Sequence, residues 1–290
     1  MARHNLTFLA GMVLADPIVQ IGEDGVYKYG FCTLAVVRGT RDTGDKKRFA
    51  RAEDPRIMSR DPGILKIMAT WKENDIVLVK GVVCATTIDK KVPCPNCGYI
   101  NYYKGSLVYV NPIFVVQLSH AEGREKGIQI VNSLREISNQ AYVLGTVCKD
   151  PKKVDVLAGI DICQYPIALN RKYFIRSDPP EQKTDYPWVK SYGANALEDL
   201  KRIHTGTQVY IDGCLQARHI LKHAVCGNEE CRANIDWKDR TLEIVPYETE
   251  YVRDFYTDAD LVEQEEEETM SIRKRIFGEN ASADVDDDWT

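Results

Sequence analysis

Two stretches of this chain repeat one another. Residues 8–17 read FLAGMVLADP and residues 142–151 read YVLGTVCKDP, an offset of 134 positions (8 to 142). Further along, VLVKG at residues 77–81 parallels VYIDG at residues 209–213, an offset of 132 (77 to 209). A cysteine stands thirteen positions after the glycine of each of these pentapeptides, at Cys94 and Cys226. Three anchors in one order predict an internal duplication.

Both copies predict the same order of elements. An apolar strand ends at Asp-Pro, and a second strand follows at residues 26–37 in the first copy and 160–169 in the second. After a polar, basic loop, the apolar residues of 64–71 and 194–203 are spaced by three and four, which indicates a short helix. A hairpin then closes each copy. Five strands with one helix between the third and fourth is the order of an OB fold.

The sequence therefore predicts an all-β protein with two tandem OB-fold barrels, each with one helix. We expect the first barrel at residues 1–118, a packed linker at 119–139 and the second barrel at 140–253. Residues 254–290 carry thirteen acids and three bases, whereas the rest of the chain has 35 bases and 30 acids. We expect this acidic tail to be disordered, because it cannot bury enough apolar surface to fold alone. The mildly basic body is suited to a polyanion.

The composition indicates in which compartment the protein lies and whether its cysteines are reduced. No apolar run approaches the ~20 residues that span a bilayer, and no secretory leader is visible, so we expect a cytoplasmic protein without a membrane partner. The nine cysteines are then expected to be reduced thiols or metal ligands rather than disulfides.

Four cysteines have metal-ligand spacing. Cys94 and Cys97 are separated by two residues and followed by a glycine, and Cys226 and Cys231 stand at the equivalent place with four residues between them. We predict one structural, all-thiolate Zn²⁺ site that joins the two hairpins. Three alternatives remain open. The site could be shared between two chains, His219 or His223 could replace a cysteine, or the second pair could be unrelated loop cysteines.

At this point the chain resembles the bacterial and phage single-stranded DNA-binding protein family, over roughly residues 5–118 and 140–252. The closer match is the second copy, through residues 143–145, 150–151, 167–171, 184–193 and 206–218. In the first copy, residues 33–38 and 72–81 match. The resemblance implies binding of single strands by base stacking on aromatic rings and by phosphate contacts from Lys and Arg.

The stacking residues implied by the resemblance lie in the second copy. Carried over by position, they are Tyr173, Tyr186 and Tyr192, while a further stacking position falls on Ile220, which has no ring. Strand alternation puts Trp188 on the same face as Tyr186 and Tyr192, so it is a further candidate.

The first copy departs from the family pattern, because Thr40, Asp54 and Arg60 occupy its stacking positions. We therefore expect the second copy to supply stacking and the first copy mainly charge. The basic residues expected to contact the strand are Arg38, Arg41, Lys46, Lys47, Arg48, Arg51, Arg56 and Arg60 in the first copy, with Arg171, Lys172, Lys190 and Arg218 in the second.

The chain ends in three aspartates, Asp286, Asp287 and Asp288, followed by Trp289 and Thr290. This is similar to the family's C-terminal tip and implies docking on replication, recombination and repair proteins, with Trp289 as the anchor. The final threonine departs from the family's Pro-Phe ending. The family's usual four OB folds imply a homodimer of this two-domain chain. We expect a nucleoid or phage-infected cell as its location, and the divergence of the first copy suggests a phage origin.

No pattern in the sequence indicates catalysis. A Ser-His-Asp order, a P-loop and a Gly-rich dinucleotide turn are missing from the sequence, so we predict that the protein is not an enzyme. The predicted function is sequence-nonspecific binding and protection of single-stranded DNA in replication, recombination or repair. The alternative is an OB-fold adaptor, or an RNA-binding protein, that assembles a replication or transcription complex.

Overall fold

The computed structural model describes residues 4–39, 52–154, 159–176 and 182–277. The first domain contains β1 His4–Val13, β2 Ile18–Ile21, β3 Tyr27–Val37, β4 Ala52–Glu53, β5 Arg56–Ser59, α1 Pro62–Met68, β6 Asp75–Pro93 and β7 Ile100–His120. Two linker helices follow, α2 Arg124–Ser133 and α3 Arg135–Ser138. The second domain contains β8 Gln140–Val147, β9 Lys152–Lys153, β10 Ile162–Asn170, β11 Thr184–Asp185, β12 Trp188–Tyr192, α4 Ala194–Arg202, β13 Gln208–Val225 and β14 Asn234–Arg253, and α5 Asp258–Phe277 comes last.

The two domains have the same strand connectivity. In the first, β1 pairs with β3 and β6, β3 pairs with β5, β5 runs parallel to β7, and β6 pairs with β7. In the second, β8 pairs with β10 and β13, β10 with β12, β12 runs parallel to β14, and β13 pairs with β14. Each is a five-stranded OB barrel with one helix before the fourth long strand, and the predicted fold class is confirmed.

The barrels are joined edge to edge, since β1 pairs with β8 to form one 14-stranded sheet. The register places Thr7 opposite Ala141. These two residues are equivalent in the duplication, at the offset of 134 residues, so an approximate twofold axis passes between them. The contact that unites the domains is therefore symmetric.

The repeated Asp-Pro pairs make the same hydrogen bond in both copies. Asp16 Oδ1 accepts a hydrogen bond from the Glu73 backbone N–H at 2.8 Å, and Asp150 Oδ1 accepts one from the Thr205 backbone N–H at 2.7 Å. Each Asp-Pro turn is thus tied to the loop that enters the fourth long strand. This explains why the pair recurs.

The recurring glycines mark a close approach of two strands. A Cβ at Gly81 would lie 2.7 Å from the Asn111 carbonyl oxygen, and one at Gly213 would collide with the Val245 carbonyl oxygen. Both glycines stand at a register shift in their hairpin. Only a residue without a side chain lets the strands pair there.

The core is continuous across both barrels. Trp71 is fully buried after α1, and Ile203 fills the equivalent place after α4. Asp61 caps α1 by accepting from the backbone N–H groups of Gly63 and Ile64. The buried side chains of each helix belong to this core, with Leu65 and Met68 from α1 and Ala196 from α4.

The linker is packed, as expected. Val131 of α2 lies in a small apolar cluster with Met12 and Ile76 of the first domain. Ser138 is fully buried, and its hydroxyl donates to the Ala10 carbonyl at 2.6 Å and accepts from the Val37 backbone N–H at 3.0 Å. The linker therefore closes one end of the first barrel.

The structure differs from the expectation of a disordered tail over Asp258–Phe277, where it has the helix α5. The prediction considered burial alone. Glu, Gln, Leu and Met favour helix locally, so this segment can be helical without burying its apolar side chains, and Val262 and Met270 are about half exposed. Across the described residues, no helix is sufficiently long and apolar to cross a membrane.

Candidate nucleic-acid interface and metal centre

The cysteine cluster lies where the tips of the two hairpins meet. The Sγ atoms of Cys94, Cys97, Cys226 and Cys231 all lie within 4.8 Å of one another. Cys94 is 3.8 Å from Cys231, and Cys97 is 3.8 Å from Cys226. A tetrahedral ion with Zn–S bonds of ~2.3 Å requires sulfur separations of about 3.8 Å. The four thiols of one chain thus lie at separations close to those of a tetrahedral thiolate site.

Amide groups surround these sulfurs in a symmetric way. Asn96 Nδ2 donates to Cys231 Sγ at 3.2 Å, and the equivalent Asn228 Nδ2 donates to Cys97 Sγ at 3.9 Å. Each hairpin therefore contributes a donor to a sulfur of the other hairpin. Such second contacts orient ligands and stabilise the negative charge of metal-bound thiolates.

The hairpin arms are held together below the cluster. The rings of Tyr103 and Trp237 stack with centroids 4.8 Å apart and planes 15° apart, and Lys90 forms an ion pair with Asp239. Tyr103 and Trp237 are equivalent at the offset of 134 residues, so the stack and the cysteine cluster both lie on the approximate twofold axis. His219 and His223 are not members of the cluster.

The remaining cysteines are separate from this site. Cys32, Cys84, Cys163 and Cys214 are buried, and Cys148 is half-buried. Burial raises the pKa of Cys32 to about 12 and that of Cys163 to about 12. Such thiols are protonated near neutral pH and serve as small core residues.

Segment 171–176 of the second domain crosses the outer face of the β6–β7 hairpin of the first. Tyr173 and Ile175 pack against an apolar cluster that contains Cys84 and Tyr109. Phe174, between them, is 91% exposed. An exposed aromatic ring is thus held by two packed neighbours, while Lys172 lies over the Tyr173 ring at 5.9 Å.

A buried ion pair fixes this segment. Arg171 Nε donates to Asp185 Oδ2 at 2.6 Å and Arg171 Nη2 donates to Asp185 Oδ1 at 2.7 Å. Asp185 also accepts from the Ala85 backbone N–H at 2.9 Å, and Gln182 Nε2 donates to the Ala85 carbonyl at 2.9 Å. The Arg171 side chain is 5% exposed. Arg171 was predicted to contact the nucleic-acid strand. The structure instead gives it an internal partner, so it positions the segment.

Tyr186 follows this anchor directly and is 57% exposed. It lines an open groove of about 330 Å³, here called the Tyr186 groove, with Thr86 and Thr87 of the first domain. Trp188, two residues on, is 38% exposed. The anchored loop therefore presents two of the predicted rings to the outside, at the boundary of the two domains.

Other predicted contacts in the second domain are engaged internally. Tyr192 is half-buried, and its hydroxyl donates to Gln216 Oε1 at 3.0 Å. Lys190 is only 3% exposed, and burial lowers its pKa. Arg218 pairs with Glu243 at 2.9 Å. Lys190 was predicted as a nucleic-acid contact, but the structure buries it in β12, the strand that lies beside β14.

The first domain's predicted basic residues divide into three groups: Arg38, the residues outside the described part of the chain, and the pair Arg56 and Arg60. Arg38 pairs with Glu53, whose Oε2 accepts from the Ala217 backbone N–H at 2.8 Å. This arrangement reproduces the Arg171, Asp185 and Ala85 contacts, so Arg38 likewise has a positioning role. Five further predicted contacts lie outside the described residues: Arg41, Lys46, Lys47, Arg48 and Arg51. The residues of the acidic tip, Asp286, Asp287, Asp288 and Trp289, also lie outside them.

Arg56 and Arg60 lie on the outer face of the first barrel over aromatic rings that the sequence analysis missed. Arg60 lies 5.4 Å from the centroid of Tyr29, and Arg56 lies 5.6 Å from that of Phe31. The signal was present in the alternation of β3, where Tyr27, Tyr29 and Phe31 occupy every second position. Phe174 was also missed, because only its packed neighbours show that it must point outward.

The fold and these surfaces define a tandem OB-fold protein with aromatic and basic side chains at the domain boundary. Two crystal structures of the single-stranded DNA binding protein from Thermus aquaticus, one wild type and one a deletion variant, are similar to it. Each has a TM-score of 0.56 and 16% identity, and each match covers 89% of this chain. The match covers 97% of the wild-type chain and 99% of the deletion variant. At this identity the likeness shows the shared fold.

Residues 138–241, which span most of the second domain, match the single-strand binding protein family. This is a family of binding proteins, in agreement with the prediction that the chain is not an enzyme. A search of curated protein sequences finds no match.

Proposed function

We propose that this protein binds single-stranded DNA without sequence specificity and protects it during replication, recombination or repair. The observation that carries the proposal is the position of Tyr186. Its ring is exposed in a groove between the two domains, directly after a buried ion pair that fixes the loop. A ring held in this way can stack any base, which contributes ~1–3 kcal/mol per base without reading its identity.

Further groups near Tyr186 suit a polyanionic strand. Lys172 and Phe174 belong to the adjoining anchored segment, and both are exposed. Trp188, two residues after Tyr186, is also partly exposed. A strand in contact with Lys172 would release counterions on binding, so affinity would fall as salt is raised.

The cysteine cluster is proposed to hold one structural Zn²⁺ within one chain. The sulfur separations fit a tetrahedral ion, and four thiolates leave no open position for catalysis. Its role would be to join the hairpin arms. The arms carry part of the Tyr186 groove on β6, so the ion would stabilise the surface on which the strand lies.

The acidic tip is proposed to recruit replication and recombination proteins through Asp286, Asp287, Asp288 and Trp289. A homodimer that provides four OB folds is proposed on the ground of the family resemblance. Light scattering tests the dimer, because a stable monomer at micromolar concentration would contradict it.

The binding function is tested by a fluorescence titration with oligo-dT at two salt concentrations, with duplex DNA and oligo-U as comparisons. Quenching of Trp and Tyr emission by oligo-dT, weakened by salt and absent with duplex, is the expected result. If no nucleic acid changes the emission or the anisotropy of a labelled oligomer, the proposal is wrong and the adaptor alternative takes its place. Tighter binding of oligo-U than of oligo-dT would favour an RNA target.

A further inference from the structure

The cysteine cluster consists of two facing pairs, and each pair joins the two hairpins. Cys94 of the first hairpin lies 3.8 Å from Cys231 of the second, and Cys97 lies 3.8 Å from Cys226. The duplication relates the two pairs, because Cys94 is equivalent to Cys226 and Cys97 to Cys231. Each pair therefore brings a sulfur of one domain against a sulfur of the other.

The two sulfurs of each pair differ in their access to solvent. Cys94 and Cys226 are buried, with 2% and 4% of their surface exposed. Their partners are accessible, since Cys97 is exposed and Cys231 is half-buried. A small oxidant in solution thus reaches one sulfur of each pair first, and the other sulfur lies behind it on the opposite hairpin. An accessible cysteine next to a second, resolving cysteine is the arrangement of redox-responsive thiols.

The accessible sulfurs are also the two that accept hydrogen bonds from the hairpin amides. Asn96 Nδ2 donates to Cys231 Sγ at 3.2 Å, and Asn228 Nδ2 donates to Cys97 Sγ at 3.9 Å. Such donors stabilise negative charge on sulfur. The thiolate is the form of cysteine that attacks a peroxide, so these contacts favour reaction at the accessible member of each pair.

The other five cysteines lie outside the cluster. Four of them are buried, namely Cys32, Cys84, Cys163 and Cys214. Cys148 is half-buried, and burial raises the pKa of its thiol. A peroxide in solution therefore reacts at the hairpin tips before it reacts with the thiols of the barrels.

We propose that hydrogen peroxide converts the zinc site into two disulfides between the domains, one joining Cys94 to Cys231 and one joining Cys97 to Cys226. In each pair the accessible thiolate attacks the peroxide, the O–O bond breaks, and a sulfenic acid forms as hydroxide leaves. The buried thiolate then attacks this sulfur, the S–S bond forms, and a second hydroxide leaves.

The reaction balances over the whole site. Four thiolates are oxidised to two disulfides, and two molecules of peroxide take up the four electrons. The four hydroxides combine with four protons from solution to give four molecules of water. A disulfide sulfur has lost the negative charge that holds the metal, so the one Zn²⁺ is released.

The direction of pairing decides what happens to the hairpin arms. Disulfides within each hairpin would remove the ligands and leave the tips without a link. Disulfides between the hairpins keep the arms joined after the metal has left, next to the stacked rings of Tyr103 and Trp237. The inference rests on the proposed zinc site and extends it, because the protein then holds its two domains together under both reducing and oxidising conditions.

The test uses the zinc-loaded full chain treated with hydrogen peroxide, after which free thiols are alkylated and the protein is unfolded and digested with trypsin without reductant. Cleavage after Lys and Arg gives one peptide of residues 92–104, with Cys94 and Cys97, and another of residues 223–232, with Cys226 and Cys231. We expect mass spectrometry to find these two peptides cross-linked, with one zinc released per chain and two peroxides consumed. Dithiothreitol should separate them.

Two variants complete the test. Cys97→Ser/Cys226→Ser keeps the facing pair of Cys94 and Cys231, and it should form the same cross-link with one peroxide per chain. Cys148→Ser should behave as the wild type does in zinc release and cross-linking, because Cys148 lies outside the cluster.

The contrary outcomes are distinct. Separate peptides that each contain an internal disulfide, zinc release without any disulfide, or cross-links between chains would each overturn the inference while the zinc site stands. A protein that contains no zinc and still gives the cross-link would contradict the metal site alone, and the disulfide pairs would stand.

Discussion

The carboxylate of Asp185 in the second domain accepts a hydrogen bond from the backbone N–H of Ala85 in the first, at 2.9 Å. The duplication repeats this contact in the opposite direction, where Glu53 of the first domain accepts from Ala217 of the second at 2.8 Å. Arg171 and Arg38 hold the two acids. Each barrel thus anchors its own loop on the hairpin of the other, and the two domains act as one body.

The buried pair should matter greatly for stability. Asp185→Ala leaves the Arg171 guanidinium buried without its carboxylate, and loss of one partner of a buried pair costs ~3–5 kcal/mol. We expect a fall of several degrees in Tm and faster proteolysis of segment 171–176. Thermal unfolding and limited proteolysis measure these effects.

The matched control for this experiment is Asp89→Ala, which breaks the exposed pair between Lys104 and Asp89. Those side chains are 75% and 56% exposed, so the change should cost less than about 1 kcal/mol. Equal destabilisation by the two substitutions would show that the domains do not depend on the buried contact.

Sequence reasoning predicted the duplication, the OB folds, the helix of each barrel and the cysteine cluster, because each rests on local or periodic features. Strand alternation, the apolar spacing of short helices and paired cysteines can be interpreted without knowledge of the tertiary contacts. The recurrence of Asp16 and Asp150 also has a clear physical reason in the structure, since each accepts a backbone hydrogen bond at an equivalent loop.

The sequence could not tell exposed basic residues from buried ones. Arg171 and Arg38 look like phosphate contacts until the acidic partners, fourteen and fifteen residues further along the chain, are brought beside them. The Tyr29 ring, by contrast, was missed. The family resemblance pointed to Arg60, whereas Tyr29 meets Arg60 only across neighbouring strands.

Removal of the exposed ring at Tyr186 should weaken single-strand binding without loss of stability. For Tyr186→Ala we expect a loss of ~1–3 kcal/mol in binding free energy to oligo-dT, since the ring is 57% exposed and contributes little to the core. Phe174→Ala should behave in the same way. Anisotropy titrations give the affinities, and Tm shows whether the fold is intact.

Tyr99→Ala supplies a matched control for Tyr186, because Tyr99 is also about half exposed but lies at the tip of the first hairpin, outside the Tyr186 groove. Its oligo-dT affinity should equal that of the wild type. If Tyr186→Ala and Phe174→Ala also bind like the wild type, the strand does not follow the proposed surface.

The cysteine cluster should bind one zinc ion per chain. Protein purified without chelator should contain one equivalent, and Cys97→Ser or Cys231→Ser should lower the content sharply because one of four ligands is lost. Chelation should lower Tm without unfolding the barrels, since the cores around Trp71 and Ile203 do not include the cluster. Metal analysis and calorimetry measure the two effects.

Cys148→Ser is the control for the metal content, because this half-buried cysteine lies outside the cluster. Absence of zinc from the wild-type protein, together with four titratable thiols at the hairpin tips, would contradict the proposed metal site. A zinc content of one per two chains would instead indicate a site shared between chains.

The buried carboxyl of Asp199 should make stability depend on pH. It lies on α4, where it accepts hydrogen bonds from the hydroxyls of Tyr251 at 2.9 Å and Tyr165 at 3.3 Å. Burial raises its pKa from 3.8 to about 6. The folded protein therefore favours the protonated acid, and the contribution of Asp199 to stability is full below pH ~4 and is lost as the pH rises through about 6.

Asp199→Asn cannot ionise, so the variant should lack this pH dependence. Between pH 4 and pH 7 the wild type should lose roughly 2 kcal/mol relative to Asp199→Asn, as measured by urea unfolding at several pH values. Glu198→Gln on the same helix is the control, since Glu198 is 45% exposed and should leave the difference between pH 4 and pH 7 unchanged. Parallel curves for wild type and Asp199→Asn would show that Asp199 ionises in the folded protein as it does in the unfolded chain.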